Sequence, residues 1–327
     1  MKSILTSSAK FGVFFALVAF LAVSAFGQPG SAQIKLRRAL DYNNDGRADF
    51  SVFRPSDGLW YILQNNGGVQ YQRFGAANTD YIAPGDYDGD GKGDISIWRD
   101  TDGNWWRLNS STNTTVVITF GVAGDEPVQR DYDGDGKTDI AVIRRTGGYM
   151  VWYVLRSTDN GYYAIQFGAN TDYSAPGDYD GDGKFDLAIQ RPGANPTDPA
   201  TFWFQKSSDF SYVAATFGQS NDLVVPGDYD GDGTTDLAVV REGATPTTPL
   251  LWIIRQSSNG AVRSENFGVT GTDINAQNDY DGDGKADLAI WRDTDGTFWV
   301  RRSTDGVDAA VQWGQGSDFP VAAYDTH

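Results

Sequence analysis

The chain has 327 residues, 40% hydrophobic and 13% aromatic, enough apolar material for one large domain or two ordinary ones of roughly 100–200 residues each. It carries 43 acidic against 26 basic residues, no cysteine, and a single histidine at the last position, His327. This balance argues against a nucleic-acid partner, removes disulfides as a means of stabilising an exported fold, and leaves no Cys/His or Ser/His/Asp machinery for catalysis.

The chain opens with Lys2 and Lys10, then an almost wholly apolar or small run from Phe11 to Phe26, then Ala25-Phe26-Gly27, with small residues where a signal peptidase requires them. Residues 1–27 therefore read as a secretory signal peptide, and the run of 16 residues is shorter than the ~20 a spanning helix needs. Residues 28–38 follow as a lead-in or closing strand, and Gln33–Leu40 leaves open an incomplete seventh unit. No second apolar run of spanning length occurs. The expectation is a mature chain without a transmembrane anchor, monomeric, secreted to the extracellular space or the cell envelope.

From residue 39 onward the sequence repeats. Asp41-Tyr-Asn-Asn-Asp-Gly-Arg-Ala-Asp49 recurs as nine-residue segments starting at Asp86, Asp131, Asp178, Asp228 and Asp279, at spacings of 45, 45, 47, 50 and 51 residues. Each segment precedes a β-like run such as Ile95-Ser-Ile-Trp or Leu187-Ala-Ile-Gln, in which large apolar and small residues alternate with period two, as in a strand buried on both faces. An arginine closes each run: Arg54, Arg99, Arg144, Arg191, Arg241 and Arg292. These arginines are expected to pair with carboxylates or to hold an anionic ligand. A turn leads into a second strand, whose repeated tryptophan is placed at Trp60, Trp106, Trp152, Trp203, Trp252 and Trp299 and assigned to the core. A third strand ends in Phe-Gly, or in Trp313-Gly314.

Four short strands per ~45 residues predict an all-β chain, a six-bladed β-propeller of four-stranded antiparallel blades with seven blades left open. Residues 39–327 form one propeller domain. Asp318–Asp325 resembles the strand leading into each segment, and is expected to close the ring against the first repeat.

The acidity has a location. Only Glu126, Glu242 and Glu265 are glutamates, and 23 of the 40 aspartates lie in the six segments; outside these and the leader, 20 acidic residues face 19 basic ones. Four carboxylates in nine residues repel one another unless a cation neutralises them. Calcium accepts 6–8 oxygen ligands in a forgiving geometry, which odd-numbered carboxylates and one main-chain carbonyl can supply. The predicted metal ligands, at positions 1, 3, 5, 7 and 9, are Asp41, Asn43, Asp45, Arg47, Asp49; Asp86, Asp88, Asp90, Lys92, Asp94; Asp131, Asp133, Asp135, Lys137, Asp139; Asp178, Asp180, Asp182, Lys184, Asp186; Asp228, Asp230, Asp232, Thr234, Asp236; and Asp279, Asp281, Asp283, Lys285, Asp287, position 7 acting through its carbonyl. Up to six Ca2+ ions are expected, with the first loop weaker because Asn43 and Asn44 replace Asp and Gly. An EF-hand is excluded, since its position 12 needs Glu and here holds Val52, Ile97, Val142, Ile189, Val239 and Ile290.

With these residues in view, the chain resembles the FG-GAP/VCBS repeat family over about residues 39–325: Phe-Gly, then Asp-Tyr-Asp-Gly-Asp-Gly, then Asp-Leu-Ala. The "GAP" portion is reduced to Ala-Pro-Gly or Val-Pro-Gly at 83–85, 175–177 and 225–227. The resemblance implies a propeller like the integrin α-subunit head, with a calcium loop between the first two strands of each blade.

The function expected is a protein-interaction or adhesion scaffold with an extracellular protein or glycan as partner. The alternatives are a calcium-stabilised lectin-like module and a carboxylate-based polysaccharide-degrading enzyme. Trp98, Trp105 and Trp291 depart from the tryptophan repeat and are expected as exposed ligand contacts. The longer turns at 192–201 and 242–249 are expected on the face opposite the metal loops.

Overall fold

The structure is a computed structural model that describes residues 36, 38–76 and 79–322. The leader expected at 1–27, most of the lead-in and the last five residues lie outside the described residues. No helix among the described residues is long and apolar enough to cross a membrane.

The strands form six sheets of four antiparallel strands each, the blades of a propeller. The second strands, Phe50–Arg54, Ile95–Arg99, Ile140–Thr146, Leu187–Arg191, Leu237–Arg241 and Leu288–Arg292, all open with four buried residues in a row. Both of their faces are covered because blades stack face to face. The fourth strands alternate exposed and half-buried residues, as an outer edge must.

The first strands, Asp80–Ile82, Glu126–Pro127, Tyr173–Ser174, Leu223–Val224, Asp273–Asn275 and Phe319–Pro320, are short. Four of them, with Ala322, line a central cavity of about 510 Å³. Phe319–Pro320 comes from the C-terminal end yet pairs with the first repeat, Phe53 against Phe319 and Val52 against Pro320. Blade 1 thus closes the ring with strands from both ends of the chain, leaving no open sheet flank between first and last repeats. Of the segment 33–40, Leu36 and Arg38 are helical and Ala39–Leu40 is a turn, so no strand of a seventh blade occurs among its described residues.

Strand register corrects the tryptophan assignment. Trp60, Trp105, Trp152, Phe202, Trp252 and Phe298 share one position, opposite Phe53, Trp98, Ile143, Gln190, Val240 and Trp291. Trp106, Trp203 and Trp299 sit one residue later, and a one-residue step on a strand points to the other face. Trp98, Trp105 and Trp291 are therefore core residues, each 0% exposed, and not the surface contacts expected of them. Adjacent tryptophans at 105–106 conceal which of the two repeats.

The register also explains the Phe-Gly motif. The buried indole N–H of Trp60, Trp105, Trp152 and Trp252 donates to the carbonyl of Phe74, Phe120, Phe167 and Phe267 at 2.8–2.9 Å. The following glycine has positive φ, from 76° at Gly218 to 114° at Gly314, which turns the chain back toward the next first strand. The next N–H, such as that of Ala169, donates to an aspartate that opens the next first strand, here Asp172 at 2.7 Å. The same aspartate receives a two-pronged bond from the repeated arginine: Arg99 on Asp80, Arg144 on Asp125, Arg191 on Asp172, Arg241 on Asp222, Arg292 on Asp273 and Arg54 on Asp318. The side chains of these aspartates are at most 1% exposed. The guanidinium lies over a ring of the adjacent third strand, 4.0 Å from Tyr61, 5.3 Å from Trp106 and 5.4 Å from Trp299. The arginines are structural, as carboxylate partners.

Candidate metal loops

In blades 2 to 6 the nine-residue segment joins the first and second strands, and in blade 1, whose first strand comes from the C-terminal end, it leads into the second strand. The tyrosine at position 2 is buried or nearly so and holds the loop down. Its hydroxyl donates to the carbonyl just past the first strand, Tyr87 to Ala83, Tyr132 to Val128, Tyr179 to Ala175, Tyr229 to Val225 and Tyr280 to Ala276, at 2.6–2.8 Å. In blade 1 the Tyr42 hydroxyl finds no such carbonyl, although it lies against Ser51.

The carboxylates shape the loop through its own N–H groups. In the second loop the two oxygens of Asp86 accept from Gly89 and Gly91 at 2.8 and 3.0 Å, and Asp94 accepts from Tyr87 at 2.9 Å. Glycine at position 4 suits a left-handed backbone packed under a neighbouring side chain. Gly89 has φ +80°, and a Cβ there would stand 2.9 Å from Cε of Lys137, whose stem crosses from the next loop.

The ligands expected from sequence are brought together unevenly. Oxygens of Asp131, Asp133 and Asp139 lie within 4.8 Å of one another, as do those of Asp178, Asp180 and Asp186, of Asp228, Asp230 and Asp236, and of Asp279, Asp281 and Asp287. These are positions 1, 3 and 9. In the second loop the group is Asp86, Asp88 and Asp90. Position 5 is held alike in both kinds of loop: Asp90 accepts from the N–H of Lys92 and the hydroxyl of Ser110, and Asp135 from the N–H of Lys137 and the hydroxyl of Ser157, all at 2.9 Å.

A second set of residues was legible in the sequence but was not read there. The hairpin between third and fourth strands carries Ser110-Ser111, Ser157-Thr158, Ser207-Ser208, Ser257-Ser258 or Ser303-Thr304. The first N–H of each pair donates to the position 9 aspartate at 2.6–2.7 Å. The second hydroxyl donates to position 3, for example Ser208 on Asp180 and Thr304 on Asp281. The pair fixes two of the three clustered carboxylates from outside the loop.

The first loop departs in several respects at once. Asn43 and Asn44 replace Asp and Gly, Asn44 takes φ 61°, and the hairpin offers Asn65-Asn66 in place of the hydroxyls. The Asn43 amide donates to Asp45, tying up an oxygen that a cation would use. Asp41, Asp45 and Asp49 form no group of the kind found in the other five loops.

Electrostatics favour a cation. Burial, with neighbouring loop aspartates adding to it, pushes Asp86, Asp139, Asp186, Asp228 and Asp287 up to about 7 and Asp94, Asp178 and Asp236 up to about 6. Carboxylates so placed are costly to ionise alone, and a divalent ion removes the cost. Oxygen-only donors, several per loop and partly buried, suit a hard cation. Five loops fit such an ion, and the first fits it less well.

The loops are also joined to one another. The N–H at position 8 of each loop donates to the carbonyl at position 1 of the loop before: Gly93 to Asp41, Thr138 to Asp86, Phe185 to Asp131, Thr235 to Asp178, Ala286 to Asp228, and Ala48 to Asp279, at 2.7–2.9 Å.

The repeats match a known family. The FG-GAP-like repeat family matches residues 41–97, 131–189 and 178–239, together just over half of the chain. No curated protein matches. Among solved structures, a functionally unknown protein from Desulfotomaculum acetoxidans is similar at 10% identity and TM-score 0.46, over 84% of this chain and 99% of that one. An apocarotenoid oxygenase mutant from Synechocystis is similar at 10% identity and TM-score 0.43, over 88% of this chain and 85% of that one.

Proposed function

The chain belongs to the FG-GAP-like repeat family, and from that premise we propose that it is a secreted, calcium-stabilised propeller that binds a protein partner at the face opposite its metal loops. Calcium is the ion the donor set fits, held by the clustered aspartates of loops 2 to 6. Its role is to neutralise and brace each loop, so the metal face serves stability.

One observation carries the recognition reading. The residue that follows each arginine-bound aspartate is Tyr81, Tyr173, Ile274 or Phe319 in four blades, with exposures of 38%, 46%, 37% and 51%, and Tyr81 and Tyr173 line the central cavity. Leu223 occupies the place in a fifth blade, and Glu126, paired with Arg145, in the sixth. A stable fold gains nothing from ringing an opening with half-exposed aromatic and apolar side chains, and such patches mark interaction sites. The longer hairpin at 192–198 stands beside the same cavity: Ser220 and Asn221, which line it, donate to Asp198 and Pro196 at 3.0 and 3.1 Å.

The test compares the wild-type chain with Tyr173→Ser and Phe319→Ser in calcium, using capture from an envelope-protein extract and a glycan array. The reading expects a discrete protein captured by the wild type and lost with both variants, at unchanged calcium content. Capture indifferent to these substitutions, or a glycan hit with no protein partner, overturns it.

A further inference from the structure

The geometry points to the metal loops acting as one closed ring, in which cation uptake at one loop favours uptake at the next. This rests on the calcium reading above.

Position 8 stands between two expected ligands of its own loop, the carbonyl at position 7 and the carboxylate at position 9. Its N–H is committed to the neighbouring loop. The Thr138 N–H, for example, donates to the carbonyl of Asp86 at 2.7 Å, while the Asp86 carboxylate belongs to the second loop's cluster. A cation that draws in Lys137 and Asp139 thereby sets the donor that orients the peptide of Asp86. The neighbour's first ligand is then held before its own ion arrives, and a ligand already ordered binds at lower entropic cost.

Two joints are doubled. The Thr138 hydroxyl accepts from the Asp86 N–H at 3.0 Å, and the Thr235 hydroxyl from the Asp178 N–H at 2.9 Å. All six bonds run in the same sense, and the bond from Ala48 to Asp279 joins the first loop to the last, so no loop is an end. The first loop, poorest in ligands, keeps both of its bonds and passes the constraint on. Coupling of this kind is a free energy shared between sites and is reciprocal.

The experiment is a calorimetric titration of the chelator-stripped full chain with calcium chloride. The expected isotherm for the wild type is cooperative, with a Hill coefficient clearly above unity. The double variant Thr138→Val, Thr235→Val keeps every carboxylate and main-chain donor. It is expected to bind the same number of ions about fivefold more weakly, with a lower Hill coefficient. Should that variant fail to fold, Asp180→Asn serves instead: it removes one ligand in loop 4, and the remaining ions should also bind more weakly. Independent, equivalent sites in the wild type overturn the coupling and leave the calcium reading intact. A loss at loop 4 alone in Asp180→Asn does the same. An absence of calcium uptake by the wild type overturns both.

Discussion

Arg54 and Asp318 stand 264 residues apart in the chain and meet in a two-pronged ion pair, Nε to Oδ1 at 2.8 Å and Nη2 to Oδ2 at 2.9 Å. Five other blades make the same bond between residues 19 apart. Only here does it join the two ends of the propeller. Asp318 also accepts the Gln315 N–H at 3.0 Å, and beside it the Val321 N–H donates to Ser51 at 2.9 Å.

Asp318→Ala should therefore unlatch the ring. It removes the acceptor of a charged pair and of a main-chain N–H, with Arg54 still able to reach water, so a loss of about 2 kcal/mol is expected. The equivalent Asp222→Ala breaks the same bonds inside a continuous blade. Urea midpoints check the size of the effect. Hydrogen exchange checks its place: faster exchange confined to blade 1 and its neighbours is expected for Asp318→Ala only.

The loop aspartates predict opposite pH responses with and without calcium. Asp86, Asp139, Asp186, Asp228 and Asp287 rise from 3.8 to about 7 in the cation-free fold. Their folded form holds more protons than the unfolded chain between these values, so cation-free stability is greatest at the acid end of that window and falls as pH rises through about 7. Calcium requires the ionised form, so protons compete with it and its stabilisation grows as pH rises. Melting temperatures at about pH 5 and about pH 7.5 should fall in chelator and rise in millimolar calcium; a chelator series that rises across this window refutes the assignment.

Stoichiometry separates the first loop from the rest. The wild-type chain should bind five calcium ions tightly, one for each aspartate group. Asp236→Ala, which deletes a clustered carboxylate and the acceptor of the Tyr229 and Ser257 N–H groups, should remove one of them. Asn43→Asp restores the third-position carboxylate of loop 1 and should strengthen a sixth. Equilibrium dialysis with metal analysis counts the ions, and six equal sites in the wild type would contradict the distinction.

Gln190 offers a stabilising substitution. It is 0% exposed and neither amide atom has a partner, at a position held by Ile143 and Val240 in other blades. A buried amide without partners costs its desolvation. Gln190→Ile should raise stability by about 1–2 kcal/mol, read as a higher urea midpoint at unchanged slope. A lower midpoint would mean that the amide is satisfied in solution.

The sequence alone determined what is local and repeated. The nine-residue loops, the period-two strands and the closing arginines recur every 45 to 51 residues, and each is dictated by backbone geometry or by charge crowding within one repeat. Blade number, the aspartate loops and the closing strand beginning at Asp318 were legible for that reason. Tertiary structure decided everything that depends on register or on a partner from elsewhere in the chain. A one-residue offset between Trp105 and Trp106 moved Trp98 and Trp105 from surface to core. The aspartate that each arginine grips, the serine pair that steadies each loop, and the six bonds joining the loops all link segments whose proximity the linear order does not state. Folding into a ring supplies that proximity, and only then does Arg54 find Asp318.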